Sequence, residues 1–322
     1  MKTELLKDLV ERIEKEKLNV FGIAVRQHGQ LLDTHDIGVP KGRIQLYSAS
    51  KTWTAMAIGI AEGEGRLTID DRLADIFSGD LPEDTAEGFE KLRVRHLLQM
   101  GTGHAVCPTS RVREKLEAEG KNITQTNYSD YWFDAFCRKP IVHEPDEGWY
   151  VYNNGATYML SCIITKLTGL SLRDYLMPRV FEPLKIEDPH WDADSKGRSL
   201  GATGLHLNTE ELSRGGQLLL NGGVWEGKQL IPEAYVHEMS EKHIDNSNGV
   251  NLDPEASAGY CFQMWRCTYP GAYRMDGFGA KYCIQLPDLD AVAAITSHET
   301  RHGYDILRAV WDTLVPKLSE TV

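Results

Sequence analysis

Strand-like segments near both ends of the chain, with a long helical stretch between them, most restrict how this sequence can fold. Near the N-terminus, FGIAVRQHGQLLDTHDIG (residues 21–38) contains two β-like runs around the turn at His28-Gly29. Towards the C-terminus come four more β-like runs with short connections: AGYCFQMWRCTY, GAYRMDGF, AKYCIQLP and DAVAAITS. From Ser48 to about residue 240 the pattern is mainly helical. This order predicts an α+β fold in which one antiparallel sheet is built from both ends of the chain.

Amphipathic helices flank the strands at both ends. The opening helix carries Leu5, Leu6, Leu9, Val10 and Ile13 on one side, and a closing helix is expected over about 304–318. We expect both helices on one face of the sheet and the helical insert on the other. The predicted domains are a sheet domain, residues 1–47 and 241–322, and a mainly helical insert, residues 48–240, with the active site at their interface.

Composition excludes several partners. The chain has 322 residues, and 35 Lys+Arg against 47 Asp+Glu give a formal charge of −12 without any dense basic stretch, so nucleic acid is not expected as a partner. No apolar run reaches the roughly 20 residues of a bilayer helix, so no membrane association is expected. The charged opening helix does not resemble a signal segment, and the six cysteines lack C-x-x-C spacing. These features predict a cytoplasmic protein with reduced thiols.

The segment YSASKTW, residues 47–53, places a serine and a lysine three residues apart at the start of a helical pattern. If the helix begins near Ser48, its hydroxyl and the Lys51 amine share one face, and the buried stripe consists of Trp53, Met56, Ala57 and Ile60. Burial lowers the pKa of a lysine, so a neutral Lys51 could accept the proton of a serine nucleophile. The alternative is that Ser48 only caps the helix and Lys51 is solvated.

A second loop-to-helix junction, WYVYNNGATYMLSCIITKLTG, carries Tyr152-x-Asn154. Ser-x-x-Lys, Tyr-x-Asn and a glycine-bearing strand near the C-terminus, in this order, resemble the serine β-lactamase and D-Ala-D-Ala carboxypeptidase superfamily, above all class C β-lactamases and related esterases. Two further segments, HLLQMGTG and FEPLKIEDPHW, also resemble the family. The segments GLHLNTEELSRGGQLLLNGGVWEGKQLIP and GYCFQMW are similar to its branch of 6-aminohexanoate-dimer hydrolases and carboxylesterases. The resemblance covers nearly the whole chain and implies a β-lactamase/transpeptidase-like fold.

The resemblance implies a role for each matched residue. Ser48 would be the acylated nucleophile and Lys51 a proton acceptor for it. Tyr152 would share the proton transfers, with its phenolate favoured by the neighbouring lysine. Asn154 would hold Lys51 or contact the substrate. The family works without a cofactor, and none is expected here.

The third motif departs from the family pattern. Where relatives have Lys-Thr-Gly, or His and one further residue before the glycine, this chain has Met275-Asp276-Gly277. The resemblance still implies an oxyanion hole from the backbone N–H groups of Ser48 and of Phe278, which follows Gly277. Because the missing cation helps to hold the carboxylate of β-lactams and peptide tails, and because Asp276 would repel anions, we expect weak β-lactam turnover.

Lys281, four residues beyond Gly277, has two interpretations. Its amine could supply, from a different position, the positive charge that the third motif lacks. A lysine on a strand with its amine in solvent is the favoured alternative.

Other candidate residues carry weaker signals. His298 and His302 have the i, i+4 spacing of a metal pair, but they straddle a strand-to-helix junction without a third ligand, so no metal site is expected. His104 and Cys107 could border the cleft, but a loop histidine beside a buried thiol is the favoured interpretation. Four aromatic residues could form the apolar walls of a small-molecule pocket, although core packing explains any single one equally well: Trp149, Tyr150, Trp191 and Trp265.

The sequence therefore favours a serine hydrolase that acts on a carboxylic ester or a short amide through an acyl-enzyme. Two alternatives stay open: a true β-lactamase or D-Ala-D-Ala carboxypeptidase, and, from another class, a non-catalytic binding module that retains the fold. The expected partner is a small-molecule ester, amide or β-lactam.

Overall fold

The computed structural model describes residues 5–37, 42–121, 128–249 and 253–320, so parts of both predicted domains lie outside the described residues. The helices are α1 (Lys7–Glu16), α2 (Ser50–Gly63), α3 (Leu73–Ile76), α4 (Val94–Leu98), α5 (Val112–Ala118), α6 (Trp132–Arg138), α7 (Asn154–Thr168), α8 (Leu172–Leu176), α9 (Thr209–Leu220), α10 (Glu233–Ser240), α11 (Pro254–Ser257), α12 (Gly303–Ala309) and α13 (Val315–Ser319). The strands are β1 (Val20–Gln27), β2 (Gln30–Asp36), β3 (Ile44–Gln45), β4 (His206–Leu207), β5 (Val224–Trp225), β6 (Lys228–Gln229), β7 (Trp265–Arg266), β8 (Tyr273–Gly277), β9 (Lys281–Leu286) and β10 (Ala291–Ser297). Among the described residues, no helix combines the length and apolar character needed to cross a bilayer.

The main sheet joins the two ends of the chain, as predicted. Its strands follow the order β2-β1-β10-β9-β8-β7, and every neighbouring pair is antiparallel. The first and last strands are neighbours, with Ile23 opposite Ile295. The predicted hairpin between β1 and β2 is confirmed, and its turn residues His28 and Gly29 both have positive φ, which suits the right-handed twist of the two strands.

Each face of the sheet is covered by an apolar layer, as expected. On one face, α1 and the C-terminal helices bury Leu9, Ile13, Ile306 and Leu314. The other face belongs to a core shared with the helical insert, where α9 packs on β1, β9 and β10. A Cβ at Gly216 of α9 would lie 2.4 Å from the Cys283 sulfur, so this glycine allows the helix to approach the sheet closely. The division into two domains stays a prediction.

Helix α2 differs from the predicted amphipathic helix. Every residue from Ser50 to Ala61 is buried, rather than only a stripe. The helix is enclosed because it lies among α7, α8, α10 and the end of β8, and Trp53 stacks on Phe181 with ring centroids 5.4 Å apart. A helix that is buried on all sides belongs to the core, and α2 therefore gives the residues at its N-terminal end a rigid support.

Candidate active site

Ser48 lies in a 3₁₀ turn, Tyr47–Ala49, that leads into α2. The preceding residue, Tyr47, has φ of 51°, an uncommon conformation for a non-glycine residue that often marks functional turns. Ala49 occupies the N-cap of α2, and no side chain caps this helix end. The capping role considered for Ser48 is therefore wrong, and its hydroxyl is free for other contacts.

Lys51 is 1% exposed, so the solvated alternative is wrong as well. Its Nζ lies 3.0 Å from Ser48 Oγ, 2.8 Å from Asn154 Oδ1 and 2.8 Å from the carbonyl oxygen of Ala202. Burial lowers the pKa of Lys51 to about 7. A neutral amine has two N–H groups and one lone pair. When Lys51 donates to Asn154 and Ala202, its lone pair faces the hydroxyl of Ser48, as a general base requires.

The rate of Ser48 acylation is expected to rise with pH through about 7 and to level off above it, because only neutral Lys51 can take the proton and its pKa lies near 7. The measurement is kcat/KM for a p-nitrophenyl ester over about two pH units on either side of that value, with spontaneous hydrolysis subtracted. A profile that stays flat, or falls with increasing pH, would rule out Lys51 as the base.

Tyr152 lies two residues before the start of α7, and its phenol interacts with Ser48. The Lys51 amine lies 4.9 Å from the centroid of its ring. Burial raises the pKa of Tyr152, and the Ser48 contact offsets this only in part. The expected phenolate is therefore not favoured in the resting site, and a protonated phenol is present as a proton donor.

Asn153, which the sequence analysis did not single out, positions the Tyr-x-Asn motif. Its Oδ1 caps α7 by accepting the N–H of Ala156 at 3.1 Å, and its Nδ2 donates to Thr102 Oγ1 at 3.2 Å. This arrangement leaves Asn154 free to bind Lys51. An asparagine directly before a helix is a cap signal that sequence reading can find, whereas the Ala202 carbonyl has no such signal.

Gly277 brings the end of β8 against the turn that carries Ser48. A Cβ at this position would lie 2.0 Å from the Leu46 carbonyl oxygen and 3.2 Å from the Ala49 nitrogen, so the close approach requires glycine. The ring of Phe278 is largely exposed and packs edge-on against Tyr47 at 5.4 Å. The oxyanion hole formed by the Ser48 and Phe278 N–H groups stays a prediction.

The residues in place of the family's cationic motif are held inside the protein. Met275 is fully buried in the core shared with the insert. The carboxylate of Asp276 accepts from Arg274 Nε at 2.9 Å, and buried Arg274 also lies 3.7 Å from Glu255. One cation therefore faces two carboxylates, and this cluster does not replace the missing positive charge.

Lys281 is 3% exposed, so the favoured interpretation as a solvated lysine is wrong. Its Nζ donates to the carbonyl oxygens of Phe278 at 2.9 Å and Ser297 at 2.7 Å, and burial lowers its pKa to about 8. The amine thus ties the residue after Gly277 to β10 and helps to fix the peptide expected to bind the oxyanion.

A cavity of about 400 Å³ lies next to Tyr152. Its described lining contains no lysine or arginine and consists of Ala105, Val106, Trp149, Tyr150, Val151, Tyr152, Asn246, Asn248, Gly249, Ala256, Trp265 and Tyr304. The expected wall residues are present apart from Trp191, which donates its indole N–H to Thr203 O elsewhere. The buried Tyr150 hydroxyl and Asn246 Oδ1 have no hydrogen-bond partner within the part of the chain that the structure describes.

Tyr150→Phe is expected to raise the free energy of unfolding by about 1 kcal/mol, because it removes a buried hydroxyl without a protein partner. Urea unfolding of both proteins measures the change. Trp265→Ala serves as the comparison, since loss of a packed ring should destabilise. A loss of stability in Tyr150→Phe would mean that the hydroxyl is already satisfied.

The remaining candidates do not join the site. His104 is fully buried, its Nδ1 lies 2.8 Å from Thr102 Oγ1, and burial lowers its pKa to about 4, so it is a neutral packing residue. Cys107 contacts the Asn153 cap at 3.6 Å. His302 lies just before α12 and faces Asp305 at 3.2 Å. Among the described residues, His298 and His302 belong to no group of three metal-ligating side chains.

Comparison with known proteins places this geometry in context. The model of the family described as Beta-lactamase matches residues 9–314. A curated protein of Escherichia coli K12, described as "Putative D-alanyl-D-alanine carboxypeptidase", is 26% identical over 201 residues. That match covers 59% of this chain and 44% of the relative, so the chain spans about half the length of the curated relatives it matches.

Solved structures share the fold. One, described as "Putative 6-aminohexanoate-dimer hydrolase from Bacillus anthracis", has a TM-score of 0.76 and 21% identity, covering 97% of this chain and 82% of that one. Another, described as "EstCE1, a hydrolase with promiscuous acyltransferase activity", has a TM-score of 0.75 and 14% identity, covering 96% of this chain and 98% of that one. Both likenesses confirm the predicted β-lactamase/transpeptidase-like fold.

Proposed function

Because this chain belongs to the Beta-lactamase family, we propose that it is a serine hydrolase that forms an acyl-enzyme on Ser48. The observation that carries the proposal is the contact of 3.0 Å between Ser48 Oγ and the buried amine of Lys51. A serine hydroxyl needs an adjacent base to attack a carbonyl, and a lysine with a pKa of about 7 supplies one at neutral pH.

Acylation begins when neutral Lys51 takes the proton of Ser48 as Oγ attacks the substrate carbonyl. The new C–O bond places negative charge on the carbonyl oxygen, which the N–H groups of Ser48 and Phe278 would stabilise; one such donor contributes about 3 kcal/mol in other hydrolases. The protonated phenol of Tyr152 donates to the leaving group as the scissile bond breaks. The Lys51 ammonium then returns a proton to Tyr152. A water molecule then attacks the acyl carbon and gives up a proton to the same groups. The bond to Ser48 Oγ breaks, Oγ regains a proton, and the acid is released.

A carboxylic ester or a short amide is the proposed substrate class. The cavity beside Tyr152 has five aromatic residues and no cation in its described lining, which favours neutral groups over carboxylates. The two nearby cations are already engaged: Arg274 by Asp276 and Lys281 by two carbonyl oxygens. Both solved structures named above are described as hydrolases, which supports the same class.

The second candidate is D-Ala-D-Ala carboxypeptidase or β-lactamase activity, favoured by the description of the E. coli relative. The buried Met275 in place of a cation argues for low activity of this kind. The non-catalytic alternative has no support in a site where nucleophile, base and phenol are already in contact. The cytoplasm is the proposed compartment, because all six cysteines are free.

Intact-protein mass spectrometry after incubation with p-nitrophenyl butyrate, with nitrocefin in parallel, tests the proposal. We expect an acyl adduct on Ser48, rapid nitrophenol release and negligible nitrocefin opening. Rapid nitrocefin turnover would make the β-lactamase function primary. If a fluorophosphonate fails to label Ser48 in the folded protein, the hydrolase proposal is wrong.

A further inference from the structure

A short antiparallel pairing outside the active site carries two histidines and an aspartate. The His206 N–H donates to the His190 carbonyl oxygen at 2.9 Å, and the Asp192 N–H donates to the Gly204 carbonyl oxygen at 3.0 Å. Side chains alternate between the faces of such a pairing. Trp191 and its bridge partner Leu205 accordingly point into the core, which leaves His190, Asp192 and His206 together on the outer face.

The three outer side chains have the separations of a ligand set. His190 Nε2 lies 2.9 Å from Asp192 Oδ1, and the rings of His190 and His206 are 5.0 Å apart. One ligand atom from each of the three residues lies within 4.8 Å of the others. The residue opposite Asp192 is Gly204, where a Cβ would lie 2.6 Å from the Asp192 Cβ, so the close approach of the two segments requires glycine.

Neighbouring groups already orient two of the ligands. His206 Nδ1 lies 3.0 Å from the Gly204 carbonyl oxygen, so Nδ1 carries the proton and the lone pair is on Nε2. Asp192 Oδ2 accepts from Gln45 Nε2 at 2.9 Å. Such outer contacts, which fix the ring tautomer and the carboxylate, are typical of metal ligands in proteins.

We propose that His190, Asp192 and His206 bind a divalent transition-metal ion, with Zn²⁺ as the preferred ion. Two imidazoles and one carboxylate suit Zn²⁺, which accepts three protein ligands and a water in tetrahedral geometry. His190 is exposed, and Asp192 and His206 are half-buried. All three side chains can therefore move to the zinc–ligand distance of about 2 Å. The site is separate from the Ser48 chemistry and does not depend on the proposed hydrolase function.

The same segment reaches the active site, which gives the ion a structural consequence. Ala202, between the two sides of the pairing, supplies the carbonyl oxygen that binds Lys51. Gln45, which holds Asp192, pairs with His206 in the strand that leads to Ser48. A bound ion would therefore hold the segment of His190 and Asp192 against the segment of His206. The first contacts the strand before Ser48 through Gln45, and the second follows the carbonyl group that binds Lys51.

The site is tested by calorimetric titration of Zn²⁺ into the untagged, chelator-treated full chain. The absorption spectrum of bound Co²⁺ reports the ligands of the ion. We expect one equivalent of Zn²⁺ to bind to the wild type and to raise its Tm. In His190→Ala and Asp192→Asn, binding should be at least about tenfold weaker, and Zn²⁺ should no longer raise the Tm. His237→Ala is the matched control, because His237 is an exposed histidine outside the cluster.

Two results would overturn the site: no saturable binding of one equivalent by the wild type, or wild-type affinity in a His190→Ala/His206→Ala double variant. Tm values of the metal-free variants establish that each is folded. His190 is 68% exposed, so its single variant keeps the test decisive if a His206 variant does not fold.

Discussion

Ser48→Ala is expected to lower the rate of p-nitrophenyl ester hydrolysis at least about 10⁴-fold, as removal of the nucleophile does in other serine hydrolases. Without Oγ, no acyl-enzyme can form, and Lys51 has no proton to accept. Because Ser48 does not cap α2, the Tm should change little. Initial rates and intact mass after substrate addition measure the loss of turnover and of the adduct.

Ser50→Ala is the matched control for that experiment. Ser50 is a buried serine two residues further on, and its Oγ accepts the Leu205 N–H at 3.2 Å. Its loss leaves a buried donor unpaired and should cost about 1–3 kcal/mol of stability, while Ser48 still becomes labelled. An adduct that persists in Ser48→Ala and disappears in Ser50→Ala would contradict the assignment.

Lys51→Met is expected to slow acylation about 10²–10⁴-fold, the usual contribution of a general base. Methionine fills the buried space without an amine, so the proton of Ser48 has no acceptor at the position now 3.0 Å away. Asn154 Oδ1 and the Ala202 carbonyl oxygen also lose their donor, so some stability should be lost. Single-turnover acylation, followed by mass spectrometry, separates the chemical step from substrate binding.

The pH profile distinguishes two causes of slower acylation in Lys51→Met: loss of the general base and loss of the hydrogen bonds that hold the site together. If Lys51 is the base, the rise near pH 7 should disappear in the variant, because no group with that pKa is left to accept the proton. Lys166→Met is the control, since Lys166 is exposed and paired with Asp80. A rise near pH 7 that survives in Lys51→Met would assign the base to another residue.

Local spacing explains which parts of the site could be predicted from sequence. Ser48 and Lys51 are three residues apart and meet within one helical turn, so their contact follows from chain geometry. The order of strands and helices likewise predicted the sheet and the two covered faces. Ala202 could not be found in this way, because it reaches Lys51 from 151 residues away through a loop without a regular pattern.

Burial explains the predictions that were wrong. Lys281 lies in β9, between β8 and β10, and both faces of this sheet are covered, so a lysine there cannot be solvated. Tyr152 was expected as a phenolate because a lysine is nearby, but enclosure of the ring outweighs that neighbour. Sequence spacing indicates which groups meet, whereas their protonation depends on the protein packed around them.

The complete enclosure of α2 divides the molecule into parts that tolerate mutation differently. Nearly every substitution between Ser50 and Ala61 alters a packed surface, so variation there is penalised whatever the substrate. The cavity beside Tyr152 has exposed wall residues such as Val106 and Trp149, which can change without disturbing the helix. New substrate preferences in this scaffold should therefore arise in the cavity walls, while the reactive helix is inherited unchanged.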